Sequence, residues 1–277
     1  MPQPAASFTS LAGVPVQYAR EPIAQYGTRG VSHRFHSEAD FTATLERCFE
    51  ELWQVCPFGR AEVITSAGAY VNKPGQHGGG RAFDLDAIFW SGKDFVTLND
   101  GFNAADRKFY YGVECILRRH FGQVLNFDYN ADHRDHFHID AAQPVGLRKN
   151  SNAVTFFVQG VLRSVYGLAV AIDGTWGNAT ADALVQAAAT AGMNGSVTSV
   201  EDWREFLSLT AARAFSHVAV ADADPASGGK SPAVLLQGVY EVIQRELAGT
   251  ALRKPIESAL DAFASHPETQ AWLDQQT

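Results

Sequence analysis

Apolar residues between 37 and 57 recur at the spacing of a helix. Phe41, Leu45, Cys48, Phe49, Leu52 and Trp53 fall on one stripe. Ser37 reads as the N-cap, Glu38 and Asp40 supply acidic first-turn residues, and Pro57 stops the run. A second stripe, Phe109, Val113, Ile116 and Leu117, predicts a helix from Asp106 to about Phe121. Between the two lie two runs that read as strands. The first, from Ala61 to Tyr70, is dense in apolar and small residues. In the second, from Arg81 to Trp90, Phe83, Leu85 and Ala87 share one face and Asp84 and Asp86 the other. A third alternation lies in Asp132-His-Arg-Asp-His-Phe-His-Ile-Asp140. If that run is a strand, His136, His138 and Asp140 share a face while Phe137 and Ile139 point into a core. The pattern predicts an α+β unit, with a small antiparallel sheet and helices packed on one side.

The flanks carry less pattern. Residues 1–36 are rich in proline, glycine and polar side chains and read as an N-terminal arm, with His33 and His36 as surface histidines near its end. Gln143 to Ser151 reads as a linker. From 152 to 277 the chain is alanine-rich and reads as an all-α C-terminal domain. It is broken by a loop from Asp222 to Pro232 and closed by a helix pair near 233–248 and 255–264.

Composition narrows the class. Hydrophobic residues make up 46% and charged residues 19%, which places the chain among globular proteins. A net charge of -8 weighs against a nucleic-acid partner held through phosphates. The three cysteines leave an odd thiol. Cys48 and Cys56, eight positions apart on one predicted helix, are separated by about 12 Å, too far to bridge. With no C-x-x-C pair, a thiolate zinc site is not expected. No run is long enough to span a membrane, and the N-terminus lacks a basic start followed by an apolar stretch. Synthesis in the cytoplasm without a signal peptide, and no stable membrane insertion, are the expectations.

The chemistry concentrates in two places. His77-Gly-Gly-Gly80-Arg-Ala82-Phe-Asp84 follows a glycine-rich loop and has the form H-x-x-G-x-A-x-D. With His138 it offers two imidazoles and a carboxylate, and three N/O ligands with an open fourth position is how a catalytic zinc ion is held. Zinc lowers the pKa of a bound water and polarises a carbonyl, which suits amide hydrolysis.

These residues resemble the zinc peptidases of bacterial cell walls, among them D-alanyl-D-alanine carboxypeptidases and murein endopeptidases. The nearest resemblance is to the extensin-like C-terminal family. It is carried by His77, Gly80, Ala82 and Asp84, then by Tyr129-Asn130, His133, Asp135, His136, Phe137, His138 and Asp140, over roughly residues 37–142. It implies a zinc peptidase domain at 37–145, with His77, Asp84 and His138 as the Zn2+ ligands and peptidoglycan as substrate. Two residues compete for general base. Asp135 stands where the carboxypeptidase branch has a glutamate, and His136 where the endopeptidase branch has a catalytic histidine. His136 is preferred, with His133 or Asp135 holding it or stabilising an oxyanion. Gly75 replaces a serine common in the family. Asp86 is an alternative carboxylate, read as a surface or supporting acid.

Residues 153–190 resemble a small helical peptidoglycan-binding repeat, through Phe157-Val-Gln-Gly-Val-Leu162 and Asp173-Gly-Thr-Trp-Gly-Asn-Ala-Thr180. The expected function is cleavage of stem peptides or cross-links in the periplasm or on the wall, by a phage lysin or a secreted antibacterial effector with secretion-machinery or immunity partners. The rival is a non-catalytic wall-binding or metal-binding module on the same fold.

Overall fold

The computed structural model describes residues 3–216. In order, the elements are β1 (Ser7–Phe8), β2 (Ser10–Leu11), β3 (Val14–Tyr18), β4 (Val31–Ser32), β5 (Phe35–His36), α1 (Ala39–Val55), β6 (Val63–Gly68), β7 (Ala82–Trp90), β8 (Lys93–Val96), α2 (Lys108–His120), β9 (Gln123–Leu125), β10 (Phe137–Asp140), α3 (Asn152–Ser164), α4 (Asn178–Thr190) and α5 (Val200–Ser216). The helix pair expected beyond 233 lies outside the described residues.

The expected mix of helices and a mainly antiparallel sheet is present. Eight strands pair in the order β2-β3-β6-β7-β10-β9, with β4 beside β3 and β8 beside β7. One pairing is parallel, between β3 and β6. The segment before residue 37 is therefore not a loose arm. It carries five short strands, and β3 extends the sheet on the far side of β6. Strands of two to five residues, interrupted by glycine and proline, leave no periodicity to read.

Helix α1 starts one residue later than the cap reading, with Glu38 at the N-cap, while Ser37 bonds Thr42. It ends at Val55, with Cys56 as the C-cap held extended before Pro57. Its stripe is buried as the spacing requires, and Phe49 meets Phe83 of β7 edge-on at 6.3 Å. Helix α2 lays Tyr110 on Phe137 of β10 at 4.4 Å. Phe137 and Ile139 are both fully buried, so the apolar half of the β10 alternation holds.

Strand β7 departs from simple alternation. Thr65 of β6 pairs with Ala87 and Ser66 with Leu85, which leaves Asp86 as the extra residue of a bulge. Beyond it the faces exchange. Ile88 and Trp90 join Phe83 and Leu85 in the main core, while Ala87 and Phe89 pack with Val63 and Val96 in a second cluster. Ala87 thus lies opposite the face that strict alternation assigns it.

The helices after residue 151 are not set apart from the sheet domain. The loop at 143–151 exists, but the packing does not divide there. Helix α5 lies along α2, where a Cβ on Gly112 would come within 2.6 Å of the Phe215 ring, and Phe215 meets Phe109 at 5.2 Å. Helix α3 approaches as closely, with the Tyr111 hydroxyl 2.1 Å from where a Cβ on Gly160 would sit. Buried Arg118 stitches the same junction: it pairs with Glu114 and donates to the carbonyls of Val124 at 2.8 Å and Ala153 at 2.9 Å. One apolar core runs through both parts.

The Asp173–Thr180 motif builds a turn. Buried Gln159 accepts from the backbone N–H groups of Asp173 and Gly174 and donates to Asp173 Oδ1 and Thr175 O. Gly174 has φ +70°, where a side chain is strained. These contacts account for the glutamine, aspartate and glycine of the motif by turn formation alone.

Candidate metal centre

Three segments converge at one end of β7 and β10. The glycine loop closes in a single turn of 3-10 helix over His77–Gly79. It is stopped by Gly80 at φ +69°, which lets β7 begin at Ala82. Asp84 then lies opposite His138 in the antiparallel register of β7 and β10, so both side chains leave the same face.

The geometry is close. His77 Nε2 is 3.2 Å from Asp84 Oδ1 and 3.2 Å from His138 Nδ1, and His138 Nδ1 is 2.9 Å from Asp84 Oδ1. One donor atom from each of the three residues lies within 4.8 Å of the others. The nitrogens turned away from this centre are occupied. His77 Nδ1 donates to the Ala69 carbonyl at 2.5 Å, and His138 Nε2 donates to Asp140 Oδ2 at 3.0 Å. Asp140 is itself fixed by the Ala142 N–H at 2.7 Å. Those outer bonds set both tautomers and aim His77 Nε2 and His138 Nδ1 inward, as ligating histidines require.

Beside the triad stands a second chain of contacts. Strand β10 begins only at Phe137, so His136 and Asp135 precede it and are not bound by its alternation. His136 Nδ1 is 2.8 Å from Asp135 Oδ1, and its Nε2 faces the triad, 3.7 Å from Asp84 Oδ1. The other oxygen of Asp135 accepts from Arg20 Nη1 at 2.5 Å. Arg20 in turn grips Asp86 with two bonds, Nη2 to Oδ1 at 2.7 Å and Nε to Oδ2 at 3.0 Å. Asp86 is fully buried, so of the two readings, surface or supporting acid, it is the supporting one that fits: the bulge turns it beneath the site. Thr97 Oγ1 lies 2.9 Å from the Asp86 carbonyl and 2.6 Å from that of Asp135, tying bulge to loop.

His133 sits on a short 3-10 turn, Ala131–His133, capped by Asn130. Asn130 Oδ1 accepts both from Asp132 N at 3.0 Å and from His133 Nδ1 at 2.6 Å. The His133 ring lies 5.2 Å from that of His136 and 5.7 Å from that of His138, between centroids.

Electrostatics follow from these contacts. Burial alone would lower His138, but its hydrogen bonds to Asp140 and Asp84 and their charges raise it to about 9. Asp84 is under the opposite balance: burial raises it, and His138 and His77 bring it well below the usual carboxylate range. Asp135 is likewise low, chiefly through the His136 hydrogen bond and Arg20. Burial is the largest influence on Asp86 and raises it to about 7, against the two donors of Arg20. His133 is lowered to about 4 by burial and by the neighbouring imidazoles, so it is neutral at physiological pH.

Every residue singled out in the motifs, His77, Asp84, His133, Asp135, His136 and His138, is thus brought to one place. Arg20 was missed. It belongs to the segment read as an arm, and no spacing links it to the motifs. Asn130 and Asp140 were noted only as part of the pattern, and their roles as fixed acceptors emerge from the geometry.

Residues 41–150 match the family model of the extensin-like protein C-terminus. All six motif residues fall within that span, whereas Arg20 and the helices from α3 onward fall outside it. No curated protein and no solved structure matches the chain. Among the described residues, no helix is long and apolar enough to cross a membrane.

Proposed function

We propose that this centre is that of a zinc-dependent peptidase, hydrolysing amide bonds in the stem peptides or cross-links of peptidoglycan. The observation that carries the proposal is the convergence of His77 Nε2, Asp84 and His138 Nδ1, each imidazole locked by an outer acceptor, with a held imidazole alongside. Two neutral nitrogens and one carboxylate fit zinc and leave a position for substrate. Bound there, zinc supplies a Lewis acid that polarises the scissile carbonyl and acidifies water.

The protein's own groups do the rest. Asp135 accepts from His136 Nδ1, which leaves the His136 Nε2 lone pair facing the triad. His136 is therefore placed to take a proton from the attacking water and return it to the leaving amine. Asp135 is poorly suited to that task. Its oxygens are engaged by Arg20 and His136, and its low pKa makes it a weak base. It orients His136 instead, and Arg20 with Asp86 orients Asp135. His133 donates through Nδ1 to Asn130, so its Nε2 accepts. That suits a substrate N–H or a water better than an oxyanion.

The test is metal analysis followed by mass spectrometry of muropeptides from digested sacculi. The expected result is about one zinc per chain and cleavage of the sacculi, both lost in His138→Ala. Stoichiometric zinc without cleavage of any wall preparation would overturn the peptidase reading in favour of a binding module.

A further inference from the structure

Next to the metal centre runs a groove of about 480 Å3 that none of the motif residues lines. One wall is Tyr18 with His33, Arg34 and His36; the other is the chain from Ala67 to Val71. Its size is that of a small-ligand site.

The groove and the centre share structural parts. Ala69 lines the groove, and its carbonyl receives the His77 Nδ1 proton. Gly68, also in the lining, is paired in register with Asp84. Tyr18 stands two residues before Arg20, at the end of β3. The walls are joined where the Tyr70 N–H meets the His36 carbonyl at 3.0 Å.

Its chemistry differs from that of the rest of the protein. The chain carries a net charge of -8, yet among the described residues no aspartate or glutamate lines the groove. The lining offers one guanidinium and two imidazoles. Among the described residues Arg34 makes no ion pair, and its one hydrogen bond is a long 3.4 Å contact to Ser7 Oγ. His36 Nδ1 is buried with no hydrogen-bond partner among the described residues. The His33 ring is held by Tyr18 at 5.6 Å and Phe35 at 4.8 Å. An exposed guanidinium beside two imidazoles, with no acid among the described lining residues, suits an anionic ligand, and a planar carboxylate matches the fork of Arg34.

We infer that this groove is a subsite for a carboxylate of the peptide substrate, with Arg34 as its anchor and specificity-determining residue. The inference rests on the peptidase reading for the identity of the peptide, and its test separates the two.

The probes are a soluble stem pentapeptide with free carboxylates and its fully amidated counterpart. Binding of both is measured by calorimetry on zinc-loaded His136→Ala protein, and cleavage of both on zinc-loaded wild type. The acid should bind about tenfold or more tightly than the amide, the gain of a charge-assisted hydrogen bond. Arg34→Gln should abolish that preference and raise KM for the acid by a similar factor, with kcat moving far less. Arg47→Gln removes the same charge from the exposed face of α1 and should leave the preference intact. Equal binding of acid and amide, or an Arg34→Gln protein that keeps the preference, overturns the subsite even if both peptides are cleaved. Acid-selective binding that depends on Arg34 but comes with no cleavage of the pentapeptide or of sacculi keeps the subsite and overturns the peptidase reading.

Discussion

Removing Arg20 should damage stability and turnover by separate routes. Asp86 is fully buried and the Arg20 side chain is 23% exposed, so Arg20→Met strips a buried carboxylate of both its guanidinium donors. Leaving one partner of a buried pair uncompensated costs about 3–5 kcal/mol. For a domain of this size each kcal/mol moves Tm by about 2–4 °C, so the loss should be roughly 6–20 °C. Adding Asp86→Leu removes the orphaned charge, and the double variant should recover much of the loss. Turnover should not recover with it, because Asp135 has lost its second anchor and no longer holds His136 at Nδ1. A positioned general base contributes about 10²–10⁴-fold, and a sizeable part of that should be missing from kcat in both variants. The assay is urea denaturation of zinc-loaded protein, with muropeptide cleavage measured on the same samples. An Arg20→Met protein that loses less than about 1 kcal/mol, or a double variant that regains full kcat, would refute the chain of contacts from Asp86 to His136.

The same geometry fixes other outcomes. Asp135→Asn should keep the fold and the zinc but lose at least about 10²-fold in kcat, because an amide no longer favours the productive His136 tautomer; full activity would return Asp135 to a passive role. Asp140→Asn removes the carboxylate behind His138 and should weaken zinc about 10- to 100-fold in a competition with a chelating dye. In metal-free protein His138 holds its proton up to about 9, above the ordinary 6.5. The folded state therefore binds that proton more tightly than the unfolded chain. The stabilisation, up to about 3 kcal/mol, is complete below about pH 6.5 and is lost as pH rises through about 9. Urea titrations from pH 6 to 9.5 should show that decline in the chelated protein and its absence in His138→Gln. Apparent zinc affinity should move the other way and strengthen with pH over the same range, because the ligand must shed its proton.

What could be read from the chain, and what could not, divides along the range of the interactions. Helices α1 and α2 and strands β6 and β7 declare themselves because their apolar period is local: Phe41 to Trp53 and Phe109 to Leu117 need no partner to be recognised. The proposed ligand set is legible for a related reason. Gly80 ends a turn that only a residue tolerant of φ +69° can end, and Asp84 follows on the strand it releases, so H-x-x-G-x-A-x-D encodes a local geometry. Register across strands has no local signature. The bulge at Asp86 reverses the faces of β7, yet Asp84 and Asp86 look equivalent in an alternating strand. Only the parallel pairing of β3 with β6 delivers Arg20 to Asp86 and so separates the ligand from its support. The residues proposed to meet the metal and the proton lie in compact motifs, whereas the residue that aligns them comes from a distant strand. A motif match over 41–150 can therefore locate the chemistry while omitting Arg20. A fragment beginning at Ser37 would contain all six motif residues. It would also lack β3, expose an edge of β6 and leave Asp86 buried without its cation.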